Sequence, residues 1–196
     1  MPITLGMTKF FRRAQSHAGF TLIEMMVTLS ISAIVGGMAT ARLTEVRRTI
    51  QSDSAMRAVM AEMNTARDMA VAQRRNMEVQ FTGGNWIRVL RHEAPGIVTT
   101  PLRGVALESN ATFALTAGVP DTPDAFGNGS AVSFGAAQSV MFGTDGTLID
   151  ENGNPLNGTV FLTIDGQQQS ARAVTVLGAT GRIRGYRWYG GVWTRI

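Results

Sequence analysis

The chain has no cysteine, two histidines (His17 and His92) and a single lysine, Lys9, among 196 residues. Zero cysteine excludes disulfides, thiolate zinc sites, iron–sulfur clusters and cysteine nucleophiles together. Two histidines leave little for a multi-histidine metal site or a serine triad, either of which would depend on His17 or His92. Charged residues are few, at 16%, while hydrophobic residues reach 44%. Disordered chains have the opposite balance, so a folded core is expected. The length fits one domain, or one domain with an attached element.

The charge that is present is segregated. Residues 1–103 carry 13 basic and 7 acidic side chains, residues 104–170 carry 7 acids and no Lys or Arg, and residues 171–196 carry five arginines and no acid. Seventeen of the 18 basic residues are arginine. Its planar fork matches phosphate bidentately, whereas lysine is a point charge. An arginine-only C-terminal segment behind an acidic one suggests an anionic partner.

From Phe20 to Ala41 the chain reads FTLIEMMVTLSISAIVGGMATA, with Glu24 as its only charge. As a helix this run is about 33 Å long, enough to cross a bilayer core of about 30 Å. Lys9, Arg12 and Arg13 precede it, which by the positive-inside rule keeps residues 1–19 in the cytoplasm. An ordinary secretory signal fits poorly, because the run exceeds a usual apolar core. Glu24 is the informative residue, since a carboxylate inside a spanning segment is costly and needs a partner or a purpose.

Beyond Ala41, apolar residues Leu43, Val46, Ile50, Met56, Val59, Met60, Met63, Ala66 and Ala70 recur at three- and four-residue steps. This predicts that the helix continues outside the membrane and stops near Arg74–Asn76. The pattern then changes to short alternating runs between turn residues. Candidate strands are Met77–Phe81, Trp86–Arg91, Ala111–Leu115, Val140–Phe142, Thr159–Asp165, Ala171–Leu177 and Arg182–Tyr186. Turns fall at Gly83-Gly84-Asn85, Asp145-Gly146, Glu151–Pro155 and Asp165-Gly166. In the strand from Thr159, Val160, Leu162 and Ile164 should face one side and Phe161, Thr163 and Asp165 the other. Residues 118–136 read as a long surface loop. The expected fold class is α+β, with one long N-terminal helix, transmembrane in its first half, packed on an antiparallel β domain.

No catalytic constellation emerges. His17 lies in the basic segment ahead of the apolar run, and His92 beside Glu93 reads as a solvated turn histidine. Asp150, Asn152 and Asn154 imitate the first half of a calcium loop. The glycine at the sixth position and the acid at the twelfth are missing, with Phe161 standing at the latter. No metal, cofactor or enzymatic activity is expected.

The C-terminal segment is different. In an extended chain Arg182 and Arg184 share one face about 6–7 Å apart, and Ile183 points to the other. That separation is close to the phosphate spacing along one nucleic-acid strand, so two forks could hold adjacent phosphates. Gly181 and Gly185 flank the pair and leave little bulk beside it. Tyr186, Trp188, Tyr189 and Trp193 interleave with Arg187 and Arg195, a composition suited to cation–π contacts and base stacking.

Two sets of residues carry a family resemblance. The string Gly19-Phe20-Thr21-Leu22-Ile23-Glu24, behind a short basic leader and ahead of a long apolar run, resembles the signal of type IV prepilins and type II secretion pseudopilins. The resemblance implies a leader at 1–19, cut between Gly19 and Phe20 by a prepilin peptidase that methylates the new Phe20 amine. Glu24 would then meet the terminal amine of a neighbouring subunit. In hydrocarbon, a carboxylate and an ammonium are each unfavourable alone and tolerable when paired. Many major pilins have a helix-breaking proline here, but this chain has none between Phe20 and Pro95.

The helix ending Ala66-Arg67-Asp68-Met69-Ala70 with Arg74-Arg75-Asn76, the Trp86 hairpin and Gly181-Arg182-Ile183-Arg184 are similar to the FimT/GspH branch of the pilin superfamily. This layout implies a helix at 20–75, transmembrane about 20–42, and a periplasmic or extracellular domain at 76–196 with a basic tail at 178–196. Gly-Arg-x-Arg resembles the DNA-binding motif of FimT-type minor pilins, which act in natural transformation. It implies that Arg182 and Arg184 contact DNA without sequence preference, with Arg187 as a helper outside the motif. The subunit would reside in the inner membrane before joining other pilins at the cell surface. The alternative is a GspH-like pseudopilin of type II secretion, or a tip minor pilin with a purely structural role.

Overall fold

The computed structural model describes residues 19–93, 98–135 and 139–196. Lys9, Arg12, Arg13 and His17 of the expected leader, and Pro95, lie outside these. The chain divides into two units, 1–42 and 43–196. Helix α1 runs from Leu22 to Gln73 and passes through Gly36-Gly37 without a break.

In the first unit, α1 starts with a reciprocal cap. The Glu24 backbone N–H donates to Thr21 Oγ1 at 3.2 Å, and the Thr21 N–H reaches the Glu24 carboxylate at 3.5 Å. Such a Thr-x-x-Glu pair satisfies two of the backbone donors that a helix start leaves unpaired. Residues Leu22–Thr40 form an apolar stretch long enough to cross a membrane, with none of it buried.

In the second unit, the described residues form eleven strands in two antiparallel sheets. The first holds β1 (Met77–Thr82), β2 (Trp86–His92), β3 (Thr99–Ala106), β6 (Ser139–Phe142) and β7 (Leu148–Ile149), in the order β3-β2-β1-β6-β7. The second holds β4 (Ala111–Phe113), β8 (Gly158–Ile164), β9 (Arg172–Leu177), β10 (Arg182–Tyr189) and β11 (Val192–Arg195), in the order β11-β10-β9-β8-β4. A short β5 (Val132–Ser133) also pairs with β8.

One apolar core joins Met56, Val59, Met63, Ala66 and Ala70 of α1 to Val79 and Val89 of the first sheet and Val160, Leu162, Val174 and Val176 of the second. Each large apolar side chain buried this way contributes about 1.5–3 kcal/mol of transfer free energy. A smaller cluster of Phe161, Ala173 and Tyr186, with Leu115 and Trp193 against it, lies on the opposite face of the second sheet. The alternation expected along β8 therefore holds: Val160, Leu162 and Ile164 enter the main core and Phe161 the smaller one.

The structure departs from the sequence reading in several places. Leu43, Val46 and Ile50, expected on the packed stripe, are exposed, and the buried apolar stripe begins only at Ala55 and Met56. Strand β3 was hidden by Pro101 and Gly104. It lies at a sheet edge, where proline removes no ladder bond, and its pairing shifts register between Val89 and Leu90. The segment read as one long loop over 118–136 contains a short 3-10 turn at Pro123–Ala125 and strand β5.

Candidate nucleic-acid interface

Strand β10 sorts its side chains by parity. Ile183 packs on the main core, while Arg184 and Tyr186 turn to the opposite, outer face, where both bond Asp124. Arg182 shares that parity, so the motif arginines lie on one face as the spacing predicts. Arg182 is exposed, and among the described residues its side chain has no hydrogen-bond or ion-pair partner.

Arg184 is not free, as the sequence reading expected. Its Nη1 sits 3.1 Å from Asp124 Oδ1, with side-chain exposures of 25% for Arg184 and 18% for Asp124. The Arg184 Nε is buried without a partner. Asp124 also accepts hydrogen bonds from Thr175 Oγ1 at 2.7 Å and the Tyr186 hydroxyl at 2.8 Å. Partial burial works against the charged form of this carboxyl. The Thr175 and Tyr186 bonds and the Arg184 charge outweigh it and hold the carboxyl below the usual aspartate range. Bonding to Tyr186 and Asp124 raises Arg184 further above an already high value. Burial, then the bond to Asp124, pushes Tyr186 up.

Arg187 has the other parity and faces α1. Its guanidinium contacts the Asp53 carboxylate, which also accepts from Arg172 Nε at 2.7 Å. Arg172 is fully buried, and it also donates to the carbonyls of Gln169 and Ala171, each at 2.9 Å. Alternation could have revealed it, because Arg172 is in phase with the buried Val174 and Val176. Arg187 therefore cannot join Arg182 and Arg184 on one surface.

The third arginine on the outer face is Arg195. The two-residue turn Gly190-Gly191, with φ of +60° and +85°, closes the β10–β11 hairpin and sets Arg195 opposite Tyr186 and Trp193 opposite Trp188. Paired residues of an antiparallel ladder project to the same side. The Gly-Gly turn was the available signal for β11.

Most of the aromatics are engaged in packing. Tyr186 is buried, Trp188 and Trp193 meet edge to face with centroids 5.4 Å apart, and Trp193 Nε1 donates to the Pro120 carbonyl at 2.7 Å. Tyr189 alone of the four is well exposed, at 75%.

The flanking glycines answer to packing. Gly181 has φ +60°, and a methyl group there would stand 2.0 Å from the Gly146 carbonyl oxygen. Arg67 braces the same spot, with its Nε donating to that carbonyl at 3.0 Å. A methyl group on Gly185 would meet the sulfurs of Met60 and Met56 at 2.9 and 3.0 Å.

Other candidate positions resolve simply. His92 ends strand β2 and lies 2.9 Å from Glu78, so it is a cross-strand partner and not a turn residue. Asp150 accepts from the Asn152 and Asn154 backbone and the Asn154 side chain, a closed local turn. Among the described residues no group of three or more His, Asp or Glu could hold a metal.

Comparison with known proteins gives two family matches. Residues 15–40 match the prokaryotic N-terminal methylation motif, and residues 55–180 match the type II transport protein GspH family. Two crystal forms of the Pseudomonas aeruginosa type IV minor pilin FimU are similar in structure. One is 20% identical with a TM-score of 0.49, covering 72% of this chain and 91% of that one. The other is 22% identical with a TM-score of 0.47, covering 68% and 90%. No curated protein matches the chain in sequence.

Proposed function

The chain belongs to the GspH family, within the minor pilins and pseudopilins, and from that premise we propose that it is a filament subunit whose outer arginine face contacts the phosphates of DNA. The observation that carries this reading is Arg182, exposed and unpaired among the described residues, two positions before Arg184 on the same face. Arg195 extends that face, whereas Arg187 is held away by Asp53. Phosphate contacts position a protein without reading bases, so binding would show little sequence preference and a steep fall with salt. Few contacts per subunit make each one weak, and engagement of several subunits on one DNA molecule raises the total.

The methylation motif supports the rest of the life cycle. A prepilin peptidase cuts between Gly19 and Phe20 and methylates Phe20. The apolar helix holds the subunit in the inner membrane with residues 1–19 in the cytoplasm and residues 76–196 on the far side. On assembly, Glu24 leaves its Thr21 cap to meet the amine of a neighbouring pilin.

The test is fluorescence anisotropy of a labelled duplex against the full chain in neutral detergent, wild type beside Arg182→Gln/Arg184→Gln. The double variant is expected to lose most binding and to flatten the salt dependence. Equal binding by both removes the DNA reading. A second reading, a subunit with only a structural role in a pilus or a type II secretion pseudopilus, is favoured by the Arg184–Asp124 pair. Deletion that abolishes exoprotein secretion while sparing DNA uptake would select it.

A further inference from the structure

The outer face of the second sheet carries its own anion. Asp124 comes from the acidic middle of the chain and lies over β9 and β10, occupying one arm of Arg184 with a carboxylate oxygen. The backbone that delivers it is held in an unfavourable conformation: Asp124 and Ala125 both have positive φ, +55° and +57°. Non-glycine residues adopt this region rarely and persist in it where surrounding contacts enforce it. Those contacts are the three bonds to the Asp124 carboxylate, the Trp193 bond to the Pro120 carbonyl and the Gln168 bond to the Ala117 carbonyl. Arg184 meanwhile keeps a buried Nε with no acceptor, so its fork is only partly used.

We propose that Asp124 is an internal competitor for Arg184: it fills the place of a phosphate in the free subunit, and a DNA phosphate reaches that arginine by displacing it. The inference rests on the DNA reading above and adds a regulation to it. Among the described residues Arg182 and Arg195 are the arginines open on this face in the resting state, so first contact is weak. Displacement frees the Arg184 fork for a bidentate contact and lets the Asp124–Ala125 backbone relax. The apparent affinity is scaled down to the fraction of molecules in which the carboxylate is not seated. A single stray anion is therefore a poor ligand, and a polyphosphate backbone that already engages Arg182 is a good one.

The experiment compares four full-length proteins in neutral detergent by duplex anisotropy over a salt series: wild type, Asp124→Asn, Asp121→Asn and Asp124→Asn/Arg184→Gln. Asp124→Asn keeps the acceptor oxygen but removes the charge. It is expected to bind roughly three- to tenfold more tightly with the wild-type log–log salt slope, because Arg184 meets a phosphate in both complexes, whereas Asp124→Asn/Arg184→Gln should flatten that slope by about 0.9. Asp121→Asn removes a neighbouring charge that bonds Gly129 and not Arg184, so it should give a smaller gain and no change in slope. Adding Arg184→Gln should cancel the Asp124→Asn gain.

An equal gain from Asp121→Asn, or a gain that survives loss of Arg184, overturns the proposal in favour of general charge repulsion. Unchanged Asp124→Asn binding overturns it too, while loss of binding in Arg182→Gln/Arg184→Gln would leave the DNA reading standing. Should Asp124→Asn unfold, amide hydrogen exchange on the wild type decides. Ala125 and Phe126 should exchange faster when duplex is bound, and unchanged or slower exchange counts against displacement.

Discussion

A methyl group on Gly181 would need both a left-handed backbone and a place already taken by the Gly146 carbonyl. Gly181→Ala should therefore lose about 1–3 kcal/mol from backbone conformation alone, with more from the displaced carbonyl, read as a lower thermal midpoint by circular dichroism. The Asp53 pair gives a second test at this scale. Asp53→Asn leaves the fully buried Arg172 without its counter-ion and should cost about 3–5 kcal/mol. Arg187→Gln removes a guanidinium that keeps solvent contact and should cost less than half of that. Denaturant midpoints of the two variants check the order. The Gly-Arg-x-Arg string was visible in the sequence, but its causes were not. The carbonyl that demands Gly181 lies in a distant turn, and the carboxylate that takes Arg184 lies sixty residues upstream.

At the scale of elements, the exposed stripe Leu43, Val46 and Ile50 separates folding from assembly. Changing all three to Ser should move the thermal midpoint of the 43–196 unit little, because exposed positions usually fall within about 0.5 kcal/mol each. If the stripe packs against neighbouring subunits, the same variant should be depleted from sheared filaments, measured by quantitative immunoblot. Strands with clean alternation and flanking turns were legible: β1, β2, β6, β8, β9 and the start of β10 lie within a few residues of their expected bounds. Strand β3 was not, since proline and glycine at a sheet edge look the same as a loop. Strand β11 was missed because four residues after a Gly-Gly turn are too few to show a period. Without that strand the sequence could not set Arg195 opposite Tyr186, on the face of Arg182 and Arg184.

Across the whole molecule, charge segregation visible in the sequence becomes contact: acidic residue Asp124 lies on the basic tail it precedes. The pH response follows. Asp124 titrates below its ordinary 3.8, so its bonds stabilise the fold above that value and are lost as pH falls through the lowered one. Tyr186 titrates above its ordinary 10.0, so its bond to Asp124 is intact below that value and is lost as pH rises through the raised one. Stability contributed by this strap should be flat between about pH 5 and 9 and decline on both sides. Asp124→Asn should flatten the acid limb, as followed by thermal midpoints across pH.

Asp53 also acts as a key. One helix carboxylate serves two guanidiniums from adjacent strands, and Gly185 lets Met56 and Met60 settle against the sheet beside it. Turning α1 by a single residue, about 100°, would carry Asp53 off that lock and strand a cation in oil. Within the globular unit the rod thus has one permitted azimuth. When a fibre built from such subunits is pulled, its give has to come from somewhere other than this joint.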